Sequence, residues 1–185
     1  DVCFIAVGTP PTSDGQADIS TVLAVGGEIA LNLDNHKVIA VKSTVPVGTC
    51  ALLTERLQSI TDQSFSIASN PEFLKQGSAV DDFLRPDRIV IGTNDTYGEG
   101  ILRELYSPFV SREESLVSMD VASAEMTKYV ANCFLATKIS FVNEIANLCE
   151  VLGADIEAVR AGVGSDPRIG PHFLHPGIGY GGSCF

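Results

Sequence analysis

The chain has 185 residues, 45% of them hydrophobic and 19% charged, with a formal net charge of −11. That acidity argues against nucleic acid as a partner, because phosphate backbones are held by basic patches, whereas a small anionic ligand needs only a few local amides and cations. No apolar run approaches the roughly 20 residues of a membrane helix and no signal peptide is read, so the expectation is a cytoplasmic chain with no membrane partner.

Val2 to Val7 is a continuous apolar run ending in Gly8-Thr9-Pro10-Pro11, the pattern of a parallel strand buried on both faces. A chain that opens inside such a strand, with no lead-in, is expected to be a piece of a longer protein. Thr12 to Asp18 reads as loop, and Ile19 to Leu33 has helical spacing. Gly26-Gly27 lies inside that helical pattern, so it is no substitute for the absent G-x-G-x-x-G fingerprint. Lys37 to Val41 is a second buried strand, followed by Lys42-Ser43-Thr44-Val45-Pro46-Val47-Gly48-Thr49 and a helix over about 50–60. A strand at Phe65 to Ser69 leads into Asn70-Pro71-Glu72-Phe73; then come a strand at 88–92, a helix at 97–109 and a short strand at 115–119.

Strand, loop and helix alternating in this way predict an α/β fold with a parallel sheet covered on both faces, the C-terminal part of a Rossmann-like domain whose first βαβ unit lies upstream. Ligands of such sheets bind at the carboxyl ends of the strands, where the three loops that begin at Gly8, Lys42 and Asn70 all fall. From about Asp120 the character changes. Val121 to Leu152 contains neither proline nor glycine, and Gly153 supplies a stop, which predicts one long helix opening a helical dimerisation domain. The domain boundaries read are 1–119 and 120–185.

Lys128 and Asn132 fall four residues apart on this helix among apolar neighbours, with Asn143 further along nearly the same stripe. A lysine on a half-buried face needs a counter-charge, either a bound anion or a carboxylate, because an unpaired buried charge is costly. From Ile169 to Gly182, glycine or proline recurs too often for regular structure, so Cys184 is expected on an ordered loop. The five cysteines are scattered without a C-x-x-C pair, which fits a reducing compartment and no metal; three look like core filler and Cys50 is ambiguous.

Ala6-Val7-Gly8-Thr9-Pro10, Lys42 to Thr49, Asn70-Pro71-Glu72-Phe73-Leu74, the Lys128-to-Asn147 helix and Gly179-Tyr180-Gly181-Gly182-Ser183-Cys184 together resemble the bacterial UDP-glucose 6-dehydrogenases, within the UDP-glucose/GDP-mannose dehydrogenase family. The resemblance covers the whole chain, with the motifs in order. It implies NAD as cofactor, a UDP-sugar as substrate, and four-electron oxidation of UDP-glucose to UDP-glucuronate, with Cys184 as the nucleophile that forms a thiohemiacetal and then a thioester. By the same resemblance Lys128 and Asn132 stabilise oxyanion character and Glu72 is the base or water activator. Thr44 lies near the nicotinamide and the catalytic water, and Thr9 and Pro10, with Thr44 and Glu72, approach the cofactor. Phe73, Leu74, Lys75, Phe173, Leu174, Tyr180 and Gly181 cradle the UDP-sugar, joined by Lys128 and Asn132. Arg168 reaches a neighbouring subunit's substrate, in a homodimer built on the helix at 120–152.

The chain departs from the family pattern in several places. The Gly-rich turn of the first strand is absent, and the sequence stops at Phe185, ahead of the family's Pro-Lys-Asp continuation and UDP-binding domain. The isolated piece is therefore expected to be inactive. Gln76 stands where many relatives carry a second glutamate, and His175 where some carry a basic substrate contact. Dehydrogenases of GDP-mannose or UDP-N-acetylmannosamine remain open, as do a two-electron β-hydroxyacid dehydrogenase, which needs no cysteine, and a non-catalytic dimerisation or nucleotide-sugar-binding piece.

Overall fold

The computed structural model describes residues 2–75, 77–110 and 112–181. Two compact units divide the chain, Asp1–Tyr129 and Val130–Phe185. The first is an α/β unit on a five-stranded sheet in the order β1-β2-β3-β4-β5, with β1 Val2–Ile5, β2 Lys37–Val41, β3 Phe65–Ser69, β4 Ile89–Gly92 and β5 Leu116–Met119. Its main helices are α1 (Ser20–Leu31), α2 (Thr49–Gln58) and α4 (Thr96–Tyr106), with a short α3 at Ala79–Leu84.

Alternation along β2 shows why the sheet is covered on both sides. Ile39 and Val41 join Ile5, Val22, Ala30, Leu53 and Leu57 in one core beneath α1 and α2. Val38 and Ala40 point the other way, into a second core with Ala68, Ile91 and Leu102 beneath α4. The two-glycine step in α1 is a packing device: a Cβ on Gly26 would lie 2.3 Å from Leu53 Cδ1, so α1 and α2 approach more closely than any larger residue permits.

The parallel expectation holds for β1–β2, β2–β3 and β4–β5, but β3 and β4 are antiparallel, paired at Ser69 and Gly92. A parallel return requires a crossover long enough to cross the sheet. The 70–88 connection holds only the short α3 and doubles back instead. Gly92 then lets α5 (Val121–Leu152) start against the sheet, since a Cβ there would lie 2.2 Å from that of Ala124. The Asp120 carboxylate accepts from the Ser123 N–H at 2.9 Å and caps the helix.

In the second unit α5 runs without a break to Leu152. Gly153, at φ +69°, takes the left-handed turn, and the Ala154 N–H closes on the Cys149 carbonyl at 3.0 Å, the hydrogen bond of a Schellman stop. Asp155 then caps α6 (Ile156–Gly164) by accepting from the Glu157 N–H. Residues 165–181 contain turns and no helix or strand, as their glycine and proline density requires. Cys133 is exposed, which corrects its reading as core filler; Cys149 and Cys50 are buried. Among the described residues no helix is long and apolar enough to cross a membrane.

Candidate active site

The carboxyl ends of β1, β2 and β3 do bring the three loops onto one edge. The Lys42 N–H donates to the Ile5 carbonyl at 2.8 Å, and the Asn70 N–H to the Val41 carbonyl at 2.8 Å. The Ser43 hydroxyl donates to the Val7 carbonyl at 2.7 Å and accepts from the Val7 N–H at 2.9 Å, clasping the first two loops. One step further, the Thr9 hydroxyl donates to the Thr44 carbonyl at 2.8 Å, so these two candidates are neighbours on adjacent loops. Pro10 is exposed beside them, its carbonyl accepting from the Asp18 N–H.

The carboxylate that Lys128 needs is Glu72. Lys128 is 4% exposed, and its Nζ lies 3.1 Å from Glu72 Oε1. The second carboxylate oxygen accepts from the Leu74 N–H at 2.6 Å, so both oxygens are oriented. Phe73 offers its ring to two cations, Lys128 Nζ at 5.2 Å and the Arg88 guanidinium at 4.1 Å from the centroid. An ammonium has three donors and Glu72 takes one, which leaves capacity for an oxygen of a bound ligand. Lys42, Glu72, Phe73, Leu74, Arg88 and Tyr106 line one pocket. Lys75 is more exposed and pairs with Asp82 at 3.2 Å and Asp87 at 3.7 Å.

Two residues escaped the sequence reading. Lys42 projects its ammonium to Asn70 Oδ1 at 3.2 Å and the Tyr106 hydroxyl at 3.3 Å. Burial lowers its pKa to about 8; Lys128 pushes the same way, and Glu72 partly opposes. An unfolded lysine titrates near 10.5. Between those values the unfolded chain therefore holds more protons, and stability rises with pH across the window. The rise expected is about 2 kcal/mol after allowance for partial solvation. Tyr106, raised by burial to about 12, works in the opposite sense above pH 10, so the window is clearest below that. Urea midpoints of the full-length protein and its Lys42→Met variant at pH of about 7.5 and 9.8 check this; an equal pH dependence in both would disprove it.

Glu125, 2% exposed on α5, is the second. Its Oε2 accepts from the Gly48 N–H at 2.7 Å and its Oε1 from the Cys50 N–H at 2.8 Å, capping α2 where no local side chain does. Burial first, then the Glu125 charge, drives the Cys50 thiol pKa far upward, so Cys50 is no nucleophile.

In the second unit, Phe173 sits at φ +63°, the one non-glycine residue with positive φ among those described, next to the buried Leu174. A phenylalanine there is strained and is held by its surroundings. The Gly177 N–H donates to Asn143 Oδ1 at 2.8 Å, and Arg160 Nη1 lies 3.1 Å from His175 Nε2, which ties down the glycine-rich segment. Arg168 is exposed and pairs with Asp166 at 2.6 Å; Asn132 is half-buried, and Tyr180 and Gly181 are exposed. Gln76 and Cys184 lie outside the described residues.

Residues 1–110 match the NAD binding domain and residues 122–185 the central domain of the UDP-glucose/GDP-mannose dehydrogenase family. The chain belongs to that family. It is 52% identical to a UDP-glucose 6-dehydrogenase of Pseudomonas aeruginosa over all of its own length and 42% of that protein's. A UDP-glucose dehydrogenase of Pyrobaculum islandicum superimposes with a TM-score of 0.94 at 44% identity, covering 100% of this chain and 43% of the other. A GDP-mannose dehydrogenase of Pseudomonas aeruginosa does so at 0.85 and 30%, covering 100% and 44%. The chain thus spans less than half the length of the relatives it matches.

Proposed function

We propose that this chain carries the nicotinamide-side loops and the central helix of an NAD-dependent UDP-glucose 6-dehydrogenase that oxidises UDP-glucose to UDP-glucuronate in two steps. The observation that carries the reading is the buried Lys128–Glu72 ion pair at the carboxyl edge of a sheet belonging to the family's NAD-binding domain. NAD, when bound, accepts the hydride in each oxidation step. The residues present suit its nicotinamide end: the hydrogen-bonded Thr9 and Thr44 are uncharged, and a Cβ on Gly8 would meet nothing within 4 Å, which leaves room for a ring.

In this reading Lys128 donates to the substrate oxygen as negative charge develops there, with Asn132 adding an amide donor. Cys184 adds to the aldehyde-level carbon and retains it until the second oxidation leaves a thioester. Water then attacks the thioester carbonyl and passes a proton to Glu72, the C–S bond breaks, and the sulfur leaves as thiolate. The strained Phe173 turn and the Asn143-anchored segment are assigned to the UDP-sugar, with Phe73, Leu74, Lys75, Leu174, Tyr180 and Gly181. We assign dimerisation to α5, supported by the exposed Val130, Phe134, Phe141, Val151 and Leu152 along it, with Arg168 reaching the second subunit's substrate. Free thiols among the described cysteines suit a reducing cytoplasm.

Counting NADH formed per UDP-glucose consumed by the full-length protein tests the reading. Two per sugar is expected. One per sugar would make it a two-electron dehydrogenase, and turnover of GDP-mannose in place of UDP-glucose would move the substrate while keeping the chemistry.

A further inference from the structure

Asn70 is wholly buried, and its hydrogen bonds converge from four directions. Its N–H is tied to Val41, its Nδ2 donates to the Val90 carbonyl at 2.8 Å, and its Oδ1 accepts from both the Tyr106 hydroxyl and Lys42 Nζ. Buried Pro71 follows, with its φ set by the ring, and Glu72 comes next. From Asn70 to the Glu72 carboxylate the chain has little freedom left.

Lys42 is the costly member of this network. Asn70 Oδ1 already has the Tyr106 hydroxyl, and a methionine would fill the lysine's space without burying a charge. Around the ammonium stand Phe4 from β1, Tyr106 from α4 and Asn70 from the loop after β3, while Glu72 lines the same pocket and, with Lys128 of α5, is near enough for its charge to be felt. Glu72 therefore pairs with the buried Lys128 and shares a pocket with the half-buried Lys42, whose charge it favours.

We propose that Lys42 is a positioning residue for Glu72: its ammonium clamps Asn70 and, with Lys128, holds the Glu72 carboxylate where it meets the water that hydrolyses the thioester. The inference rests on the reading of Glu72 as water activator. It makes Lys42 matter for the last step, where water oxygen bonds to the thioester carbon, its proton goes to Glu72 and the thiolate departs. The hydride-transfer steps do not need it.

The test uses the full-length protein with NAD and UDP-glucose, following the NADH burst, steady turnover and intact mass. Lys42→Gln keeps a donor for Asn70 but not the charge. It is expected to give a burst within about threefold of wild type, turnover slower by about tenfold, and a uronyl thioester accumulating on Cys184. Lys42→Arg is expected to restore turnover and clear the adduct. Should Lys42→Gln fail to fold, Tyr106→Phe, which removes the other donor to Asn70, is expected to accumulate the same adduct to a lesser extent.

Equal slowing of burst and turnover without adduct, or an unchanged variant, overturns the inference. So does the lack of any adduct in Tyr106→Phe when that variant has to carry the test. Glu72→Gln separates the two levels. Adduct in Glu72→Gln but not in Lys42→Gln overturns the role of Lys42 alone; adduct in neither overturns the role of Glu72 and this inference with it.

Discussion

On the proposed thioester route, Cys184→Ser in the full-length protein is expected to lower net UDP-glucuronate formation by at least roughly 10³-fold, about 4 kcal/mol of transition-state stabilisation. An alcohol cannot become a carboxylate in one hydride transfer, so the aldehyde-level carbon has to be retained between oxidations. A thiol does this because sulfur adds readily to the carbonyl and leaves readily as thiolate; a serine hydroxyl, with a far higher pKa, does neither well at neutral pH. No other described cysteine takes over. Cys50 is buried and its thiol pKa driven up, Cys149 is buried, Cys133 is exposed on α5, and Cys3 is held within strand β1 opposite Ile39, away from the loops at the carboxyl edge. Coupled measurement of NADH and UDP-glucuronate decides it, and a serine variant keeping half of wild-type turnover would remove the thioester from the mechanism.

Glu125→Ala is expected to destabilise the fold by about 3 kcal/mol. Two α2 N–H groups lose their acceptor, the buried one of Cys50 at about 1–3 kcal/mol and the more accessible one of Gly48 at less, and the helix loses an anion at its positive end. The effect reaches the site, because Glu125 lies one turn before Lys128 and holds the loop of Thr44 against α5. Hydrogen exchange of the full-length variant is expected to show lost protection over residues 44–52, together with a lower urea midpoint. Glu125→Gln should fall between, since one amide oxygen survives. Unchanged exchange in Glu125→Ala would refute the capping role.

Much of the fold was legible because its signals are local. The buried strands Lys37–Val41 and Phe65–Ser69 and the helix Val121–Leu152 have the bounds read from apolar runs, breakers and a glycine stop. The short α3 and α6 were not read: neither has a buried residue to mark a face. The antiparallel turn at β4 escaped because an apolar run carries no direction.

At the site, the sequence alone determined that Lys128 sits among apolar neighbours and needs a counter-charge, and that three unusual loops share the carboxyl edge of the sheet. A helical stripe and the topology of a parallel sheet impose both. Only the tertiary structure decided which groups meet: Glu72, 56 residues from Lys128; Lys42 on Asn70, 28 residues away; Glu125 on Gly48, 77 residues away. Such contacts have no period and no spacing rule. They arise when strands and helices pack, and a single buried charge then takes whichever partner packing places within hydrogen-bonding reach.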